Sequence, residues 1–174
     1  MRIEPNSPAF SWLLGLLSAL PTFGIDMILP TLPATATALG SSPGSVGLAM
    51  SAYLLGVGAA IPVIGPLSDR IGRRPIIIFG CVLLIAASIG CLAAHSLSQL
   101  LVFRALQGIG ASGPGMGALT IVRDLFDGEE ARAKMSYVVF AVNVVPMIAP
   151  TVGAALLTIC GWRSVYWLPV AGGG

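Results

Sequence analysis

The sequence predicts an all-α fold, a polytopic bundle of transmembrane helices, and three observations support this. Of the 174 residues, 56% are hydrophobic and only 9% are charged, whereas soluble domains carry about 25% charged residues. The charges occur in short groups between long uncharged stretches, as expected when only the loops meet water. Those stretches are long enough to cross about 30 Å of hydrocarbon. A water-soluble fold could not bury this much apolar surface.

Five apolar stretches have, or nearly have, the roughly 17–25 residues that a membrane-crossing helix needs. The predicted spans cover residues 10–32, 44–66, 75–95, 98–122 and 135–158. A sixth stretch begins at residue 164 and is too short to cross before the sequence stops at residue 174. We therefore expect residues 1–174 to form one unit, an N-terminal transmembrane half that is incomplete at its C-terminus.

The first span is interrupted by Pro21 and carries Asp26. Its apolar stretch is too long for a signal-peptide core and has no small-residue cleavage pattern, so we expect it to be retained. The uncharged segment 33–43 suits a short outer loop, and the hydrophilic segment 123–134 suits a cytoplasmic loop.

The basic residues near the span ends predict the orientation, because Lys and Arg favour the cytoplasmic side of a membrane. If the spans alternate, seven basic residues fall on one side, while Arg163 alone falls on the other. The seven are Arg2, Arg70, Arg73, Arg74, Arg123, Arg132 and Lys134. We therefore expect a cytoplasmic N-terminus.

Two ionisable residues lie within predicted spans, Asp26 in the first and Arg104 in the fourth. An unpaired charge in lipid costs at least about 2.5–3.5 kcal/mol, so each needs a reason. With a rise of about 1.5 Å per residue, both lie roughly 9–10 Å below the outer surface. This common depth allows a direct or water-bridged ion pair, which would be either a static clamp or a proton-coupling site. Gln107 lies one turn from Arg104 and could bond a substrate or the same aspartate.

The segment Gly108 to Gly113 matches the Gly-x-Gly-x-x-Gly dinucleotide pattern. It lies inside an apolar span, however, whereas a nucleotide site needs a preceding strand, a soluble following helix and an acidic residue about twenty residues on. Asp124 and Asp127 lie nearby, but beyond the far end of the span. Small residues at three- and four-residue spacings, including Gly108 and Ser112, instead predict close packing between helices.

The fifth span contains Pro146, Pro150 and Gly153. Each proline removes a backbone donor and crowds the preceding turn, so the helix should bend. The bend could serve as a hinge or be a fixed shape, and the sequence leaves both possibilities open.

Other functional classes find little support. Cys81, Cys91 and Cys160 lack Cys-x-x-Cys spacing, and His95 is the single histidine, so we predict neither a metal site nor a cofactor. A primary pump is disfavoured because the sequence has no Gly-x-x-x-x-Gly-Lys-Ser/Thr phosphate loop. The net charge of +2 is small and dispersed, which argues against nucleic-acid binding. We do not expect an enzyme.

The loop between the second and third spans has glycines, an Asp-Arg pair and two further basic residues in a fixed order: Gly65, Asp69, Arg70, Gly72, Arg73 and Arg74. This pattern resembles the signature that transporters of the major facilitator superfamily carry at that same loop. The glycines permit a tight turn, and Asp69 can meet a helix N-terminus or a basic side chain. The resemblance implies a latch that steadies one conformation of two halves, and it adds Asp124 to the charge cluster around Arg73.

Two further segments resemble motifs of the same family. The fourth span matches through Arg104, Gln107, Gly108, Gly110 and Ala111, and in the family that arginine is linked to proton coupling. Residues 26–30, Asp-Met-Ile-Leu-Pro, with Leu-Pro at 32–33 resemble the first-span motif of drug–proton antiporters, particularly the Bcr/CflA branch. The fifth span departs from the strict antiporter motif, because this sequence has Ala149 before the proline where that motif has glycine. The resemblance implies the N-terminal half of a twelve-helix fold.

These observations together lead us to expect proton-coupled efflux of small amphipathic drugs by alternating access in a bacterial inner membrane. The expected partners are the drug, protons, the lipid bilayer and the missing C-terminal half of the transporter. The alternative is a proton symporter or facilitator for a small metabolite, since one acidic group does not decide the direction. A non-transporting membrane scaffold would not explain two charges at equal depth. We expect the 174 residues alone to be inactive.

Overall fold

The computed structural model describes residues 8–167, and within this range it contains six α-helices and no strand. Helix α1 covers Pro8–Asp26, a 3-10 turn covers Leu29–Thr31, and α2 covers Leu32–Ala38. The longer helices are α3 (Pro43–Ile71), α4 (Arg73–Leu92), α5 (Leu97–Leu125) and α6 (Gly128–Cys160), followed by a 3-10 turn at Trp162–Tyr166. Arg2 and most of the predicted sixth span lie outside the described residues. The predicted all-α transmembrane bundle is confirmed.

Four stretches in the described part of the chain are long and apolar enough to cross a membrane. They are Trp12–Ala38, Pro43–Ile71, Arg73–Leu92 and Gly128–Ile159. Helix α5 has 29 residues, as many as α3, but it is rich in glycine and includes Arg104 and Gln107. Its neighbours bury those polar groups, so α5 does not need the apolar surface that a lipid-facing helix needs.

Helix α5 lies inside the bundle, where it packs against α3, α4, α1 and α6. The outer helices turn large apolar side chains outward, and Leu55, Phe79 and Ile159 are 63% to 77% exposed. A soluble protein does not expose so much apolar surface, whereas a lipid-facing surface consists of such side chains. The arrangement therefore fits a bundle surrounded by lipid.

The bundle has two chemically different ends. We call the end that carries residues 69–74 and 123–134 the basic end, and the other the opposite end. At the opposite end the core includes Met27, Ile28, Cys91, Trp162 and Tyr166. At the basic end a separate core forms around Leu14, Ala118, Val122, Phe126 and Val138. A third, smaller core joins Tyr53, Leu84 and Ala111 of α3, α4 and α5.

Two predicted loops are largely helical. Helix α2 covers residues 33–38 of the expected outer loop, because its sequence has proline near the N-terminus and continues with alanine. The expected cytoplasmic loop at 123–134 is reduced to residues 126–127, since α5 and α6 continue into it. Membrane-crossing helices can extend beyond the hydrocarbon, so a hydrophilic composition alone does not place a helix end.

The turn between α3 and α4 consists of Gly72 alone. Gly72 has φ +94°, a conformation that side chains with a Cβ rarely adopt. At the opposite end, the side chains of Ser42 and Ser96 cap α3 and α5 by accepting hydrogen bonds from Ser45 N and Gln99 N. These local signals fix where α3 ends and α4 begins, and where α3 and α5 start.

Candidate functional site

Arg104 lies inside the bundle, about two turns from the start of α5. Only 1% of its surface is exposed. Its Nη1 donates to the backbone oxygen of Gly24 at 2.7 Å and to Oε1 of Gln107 at 2.7 Å. Because a buried charge is costly unless hydrogen-bonded, these contacts stabilise the guanidinium and join α5 to α1.

Two tyrosine rings flank the guanidinium. Cζ of Arg104 lies 5.1 Å from the ring centre of Tyr53 and 5.7 Å from that of Tyr166. Both rings are buried, and a desolvated cation–π contact contributes about 2 kcal/mol. The Tyr53 hydroxyl donates to the Pro21 carbonyl at 2.8 Å. The rings therefore stabilise the buried guanidinium of Arg104.

Gln107 extends the polar contacts from α5 into α4. Its Nε2 donates to Oγ of Ser88 at 2.7 Å, and the Ser88 hydroxyl donates to the Leu84 carbonyl at 2.7 Å. Gln107 and Ser88 are both completely buried. The result is a continuous set of hydrogen bonds from α1 through Arg104 and Gln107 to α4.

Helix α1 ends at Asp26, at the level of this polar cluster. Pro30 lies four residues further along and has no N–H to continue the helical hydrogen bonds. The last carbonyls of a helix lack helical partners and carry partial negative charge. The Gly24 carbonyl is one of these, and Arg104 satisfies it.

The direct ion pair considered between Asp26 and Arg104 is not present in the structure. Both salt bridges among the described residues belong to Arg73. The guanidinium instead bonds the Gly24 carbonyl, two residues before Asp26, and is covered by the tyrosine rings. The carboxylate of Asp26 is partly exposed. The Arg104 side chain therefore reaches the end of α1 where Asp26 lies, but the two residues form no direct ion pair.

Three buried polar atoms of the described residues have no hydrogen-bond partner: Nε and Nη2 of Arg104 and the hydroxyl oxygen of Tyr166. Buried polar groups in native proteins almost always have partners. The guanidinium therefore keeps donor capacity for an acceptor, such as a carboxylate oxygen or a water molecule.

At the basic end, Arg73 joins the α3–α4 turn to the end of α5. Its Nη1 lies 2.6 Å from Oδ1 of Asp69, and its Nε lies 2.9 Å from Oδ2 of Asp124. Nη1 also donates to Ser68 Oγ at 3.0 Å. The structure thus brings together Asp69, Arg73 and Asp124, while Arg70 and Arg74 are both exposed. Gly65 lies one turn before Asp69 on α3, and Gly72 forms the turn between the helices.

Small residues on α5 lie directly against the backbones of its neighbours. A Cβ on Gly108 would overlap the Tyr53 carbonyl oxygen of α3, and one on Gly110 would lie 2.5 Å from Leu84 N of α4. Ser112 is buried and its hydroxyl bonds Ile109 O of its own helix. This glycine segment has no space for a dinucleotide, and no group of three His, Cys, Asp or Glu in residues 8–167 could hold a metal.

Helix α6 continues through both Pro146 and Pro150. Gly153, one turn later, faces the end of α1, where a Cβ would lie 2.6 Å from Met27 O. The prolines and Gly153 therefore lie where α6 contacts the segment that follows Asp26. Their roles as a hinge or as a fixed bend both remain predictions.

A groove of 1310 Å³ runs between α1 and α6 towards the basic end. It is mainly apolar, with aromatic side chains from both helices and one acidic and one basic residue at its rim. The aromatic residues are Trp12, Tyr137 and Phe140, and the charged ones are Glu130 and Lys134. An amphipathic molecule would fit these surroundings better than a strongly polar one.

Sequence reasoning missed three members of the polar cluster: Tyr53, Tyr166 and Ser88. A tyrosine in the middle of an apolar span is a usable signal, because its hydroxyl needs a partner there. Ser88 gave no signal, since a single serine in an apolar helix commonly bonds its own backbone. The Gly24 carbonyl could not be foreseen either, because its availability depends on where α1 ends.

Comparisons with known proteins give a consistent result. The family model of the Major Facilitator Superfamily matches residues 14–174. The chain is 37% identical over 145 residues to Multidrug resistance protein MdtL of Klebsiella pneumoniae, covering 83% of this chain and 37% of that protein. It is 33% identical over 171 residues to a Chloramphenicol resistance protein of Pseudomonas aeruginosa, covering 92% of this chain and 41% of that protein. MdtL of Shewanella oneidensis is 38% identical over 160 residues, or 91% of this chain and 40% of that protein.

The chain thus spans about two fifths of the length of these relatives. The match covers the loop motif, the buried Arg104 and the apolar helices alike, and it confirms the predicted resemblance. The family consists of membrane transporters and not of enzymes, as the sequence predicted. This chain is a multi-pass membrane protein and belongs to the major facilitator superfamily.

Proposed function

We propose that this chain is the N-terminal half of a secondary transporter that exports small amphipathic drugs in exchange for protons. The observation that carries the proposal is the buried Arg104, which keeps unpaired donors beside the end of α1 where Asp26 lies. Relatives named for multidrug and chloramphenicol resistance support drugs as the substrate class. The exchange would proceed by alternating access between two halves, with the site near the middle of the membrane.

Asp26 is the proposed proton carrier, and Arg104 and Gln107 are its proposed partners. A carboxylate at a helix end inside a membrane is costly when ionised, and a nearby arginine favours the ionised form. Arg104 is held on α5 by Gln107 and bonds the Gly24 carbonyl of α1. Movement of α1 relative to α5 would therefore break the Gly24 contact and change the distance between the two charges. Proton binding would then depend on the conformation of α1, which is the requirement for coupling.

The groove between α1 and α6 is the proposed contact surface for the drug. Its apolar and aromatic lining matches small amphipathic molecules, and Glu130 at its rim could attract a cationic group. Because α1 also carries Asp26 at its other end, a drug that displaces α1 would act on the proton site. The substrate and proton sites would thus share one helix.

The basic end is proposed to face the cytoplasm of a bacterium, with the protein in the inner membrane and the N-terminus inside. Its excess of Lys and Arg supports this orientation. The contacts of Arg73 with Asp69 and Asp124 are proposed to act as a latch that steadies one conformation of the two halves. The C-terminal half is a proposed partner, and we predict that the 174 residues alone, reconstituted in liposomes, give no saturable gradient-driven flux.

Everted membrane vesicles that contain the full-length transporter test the direction of coupling. With a preformed proton gradient, acidic inside, added ethidium should release protons from the vesicle lumen and reduce the gradient if drug and proton are exchanged. A metabolite symporter or facilitator would leave the gradient unchanged on drug addition. That result would reject drug–proton exchange and favour the alternative.

A further inference from the structure

Ser88 of α4 lies at the end of the hydrogen-bonded set that positions Arg104. Its Oγ accepts from Nε2 of Gln107 at 2.7 Å, and Oε1 of Gln107 accepts from Nη1 of Arg104 at 2.7 Å. We propose that Ser88 is a positioning residue for transport, which acts through Gln107 on Arg104. The proposal rests on the role of Arg104 in the proposed function.

The hydrogen bonds run in one direction, because the guanidinium offers donors only and the Ser88 hydroxyl can accept from the Gln107 amide. The Ser88 hydroxyl donates to the Leu84 carbonyl at 2.7 Å, so its oxygen is left to accept from the Gln107 amide. The amide carbonyl then faces Arg104. If the amide rotated by half a turn, its NH₂ group would face the guanidinium, which has donors only.

Gln107 supplies one of the two acceptors that hold Nη1 of Arg104, and the Gly24 carbonyl supplies the other. Loss of the Gln107 contact would leave the guanidinium attached to α1 alone, free to turn between the two tyrosine rings. The unpaired Nε and Nη2 of Arg104 would then point elsewhere. Ser88 therefore determines the direction of the donors that the transport site needs, without contacting a substrate or proton.

Ser112 provides a matched control on α5. It is also buried, at 4% exposure compared with 0% for Ser88, and its hydroxyl also bonds a backbone carbonyl. That carbonyl belongs to Ile109 of the same helix, which is not a member of the polar cluster. Alanine at Ser112 removes a buried hydroxyl without disturbing Arg104.

The test measures ethidium efflux from energised cells that carry the full-length transporter, with membrane levels checked by immunoblot. Ser88→Ala should reduce the initial rate about tenfold, the order expected when the buried Nε2 of Gln107 is left without a hydrogen-bond partner. Ser88→Thr keeps the hydroxyl and should therefore transport at close to the wild-type rate. Ser112→Ala should also match the wild type. Gln107→Leu should also reduce the rate, and adding Ser88→Ala to it should cause no further loss, because both changes interrupt one path.

Wild-type efflux from Ser88→Ala would overturn the proposal, as would losses that multiply in the double variant. If Ser88→Ala alone does not accumulate, the comparison of Gln107→Leu with the double variant still decides the question. Equal efflux rates of these two variants would support the proposal, and a lower rate of the double variant would contradict it. Asp26→Asn measured in parallel separates the two levels of inference. If Asp26→Asn abolishes efflux and Ser88→Ala does not reduce it, only the role of Ser88 is rejected; if Asp26→Asn transports normally, the proposed coupling itself is rejected.

Discussion

Gly108 on α5 allows the closest approach between α5 and α3. A Cβ at this position would overlap the Tyr53 carbonyl oxygen and would lie 3.0 Å from Val57 N. These are backbone atoms, so no side-chain rotation can relieve the overlap. Gly108→Ala should therefore push the two helices apart at the residue whose ring covers Arg104.

The size of the effect follows from this geometry. Non-bonded heavy atoms normally lie about 3.5 Å apart, so Val57 N of α3 must move roughly half an ångström away from the new Cβ, and Tyr53 O must move further. Overpacking of this kind costs about 1–3 kcal/mol. Alanine is a better helix former than glycine by about 1 kcal/mol, which offsets only part of that cost.

Gly58 provides the matched control, because it lies inside α3 and a Cβ at its position would meet no atom within 4 Å. The assay is unfolding of the purified full-length transporter in mixed detergent and SDS micelles, followed by circular dichroism. Gly108→Ala should lower the free energy of unfolding, whereas Gly58→Ala should leave it equal or raise it by up to about 1 kcal/mol. Equal stability of the two variants would refute the close-packing explanation.

Two further predictions concern Tyr166 and the isolated chain. Because the Tyr166 hydroxyl has no partner, Tyr166→Phe should leave efflux and stability unchanged, whereas Tyr166→Leu removes the ring facing Arg104 and should cost about 0.5–2 kcal/mol in the same unfolding assay. A loss with Tyr166→Phe would mean that the hydroxyl has a partner during transport. Absence of flux through the isolated 174 residues in liposomes, with activity of the full-length protein in the same preparation, would show that the second half is needed.

The fold class could be predicted from the sequence because lipid imposes a strong constraint on composition. Long uncharged apolar stretches must be helices, since unpaired backbone groups are too costly in hydrocarbon. Helix ends were harder to predict. The end of α1 at Asp26 depends on Pro30, which the apolar pattern does not distinguish from its neighbours. Helices α5 and α6 continue into polar sequence, because a helix is as stable in water as a loop is.

The candidate site was predictable only in part. Asp26, Arg104 and Gln107 are unusual in apolar spans, so the cost of burying them drew attention to them. Equal depth, however, does not determine which groups face each other, and Arg104 bonds the Gly24 carbonyl instead of Asp26. Ser88 and Tyr166 join the cluster through tertiary packing across long sequence separations, which no local pattern encodes.

The role of Asp26 in coupling is best tested by the rate of gradient-driven drug efflux from energised cells, compared between the full-length transporter and its Asp26→Asn variant. The amide is the same size as the carboxyl group but cannot carry a proton, so folding and membrane levels should be preserved. We expect loss of gradient-driven efflux with the protein still in the membrane. Efflux at the wild-type rate would contradict the proposal, because Asp26 would then not be the proton-coupling carboxylate.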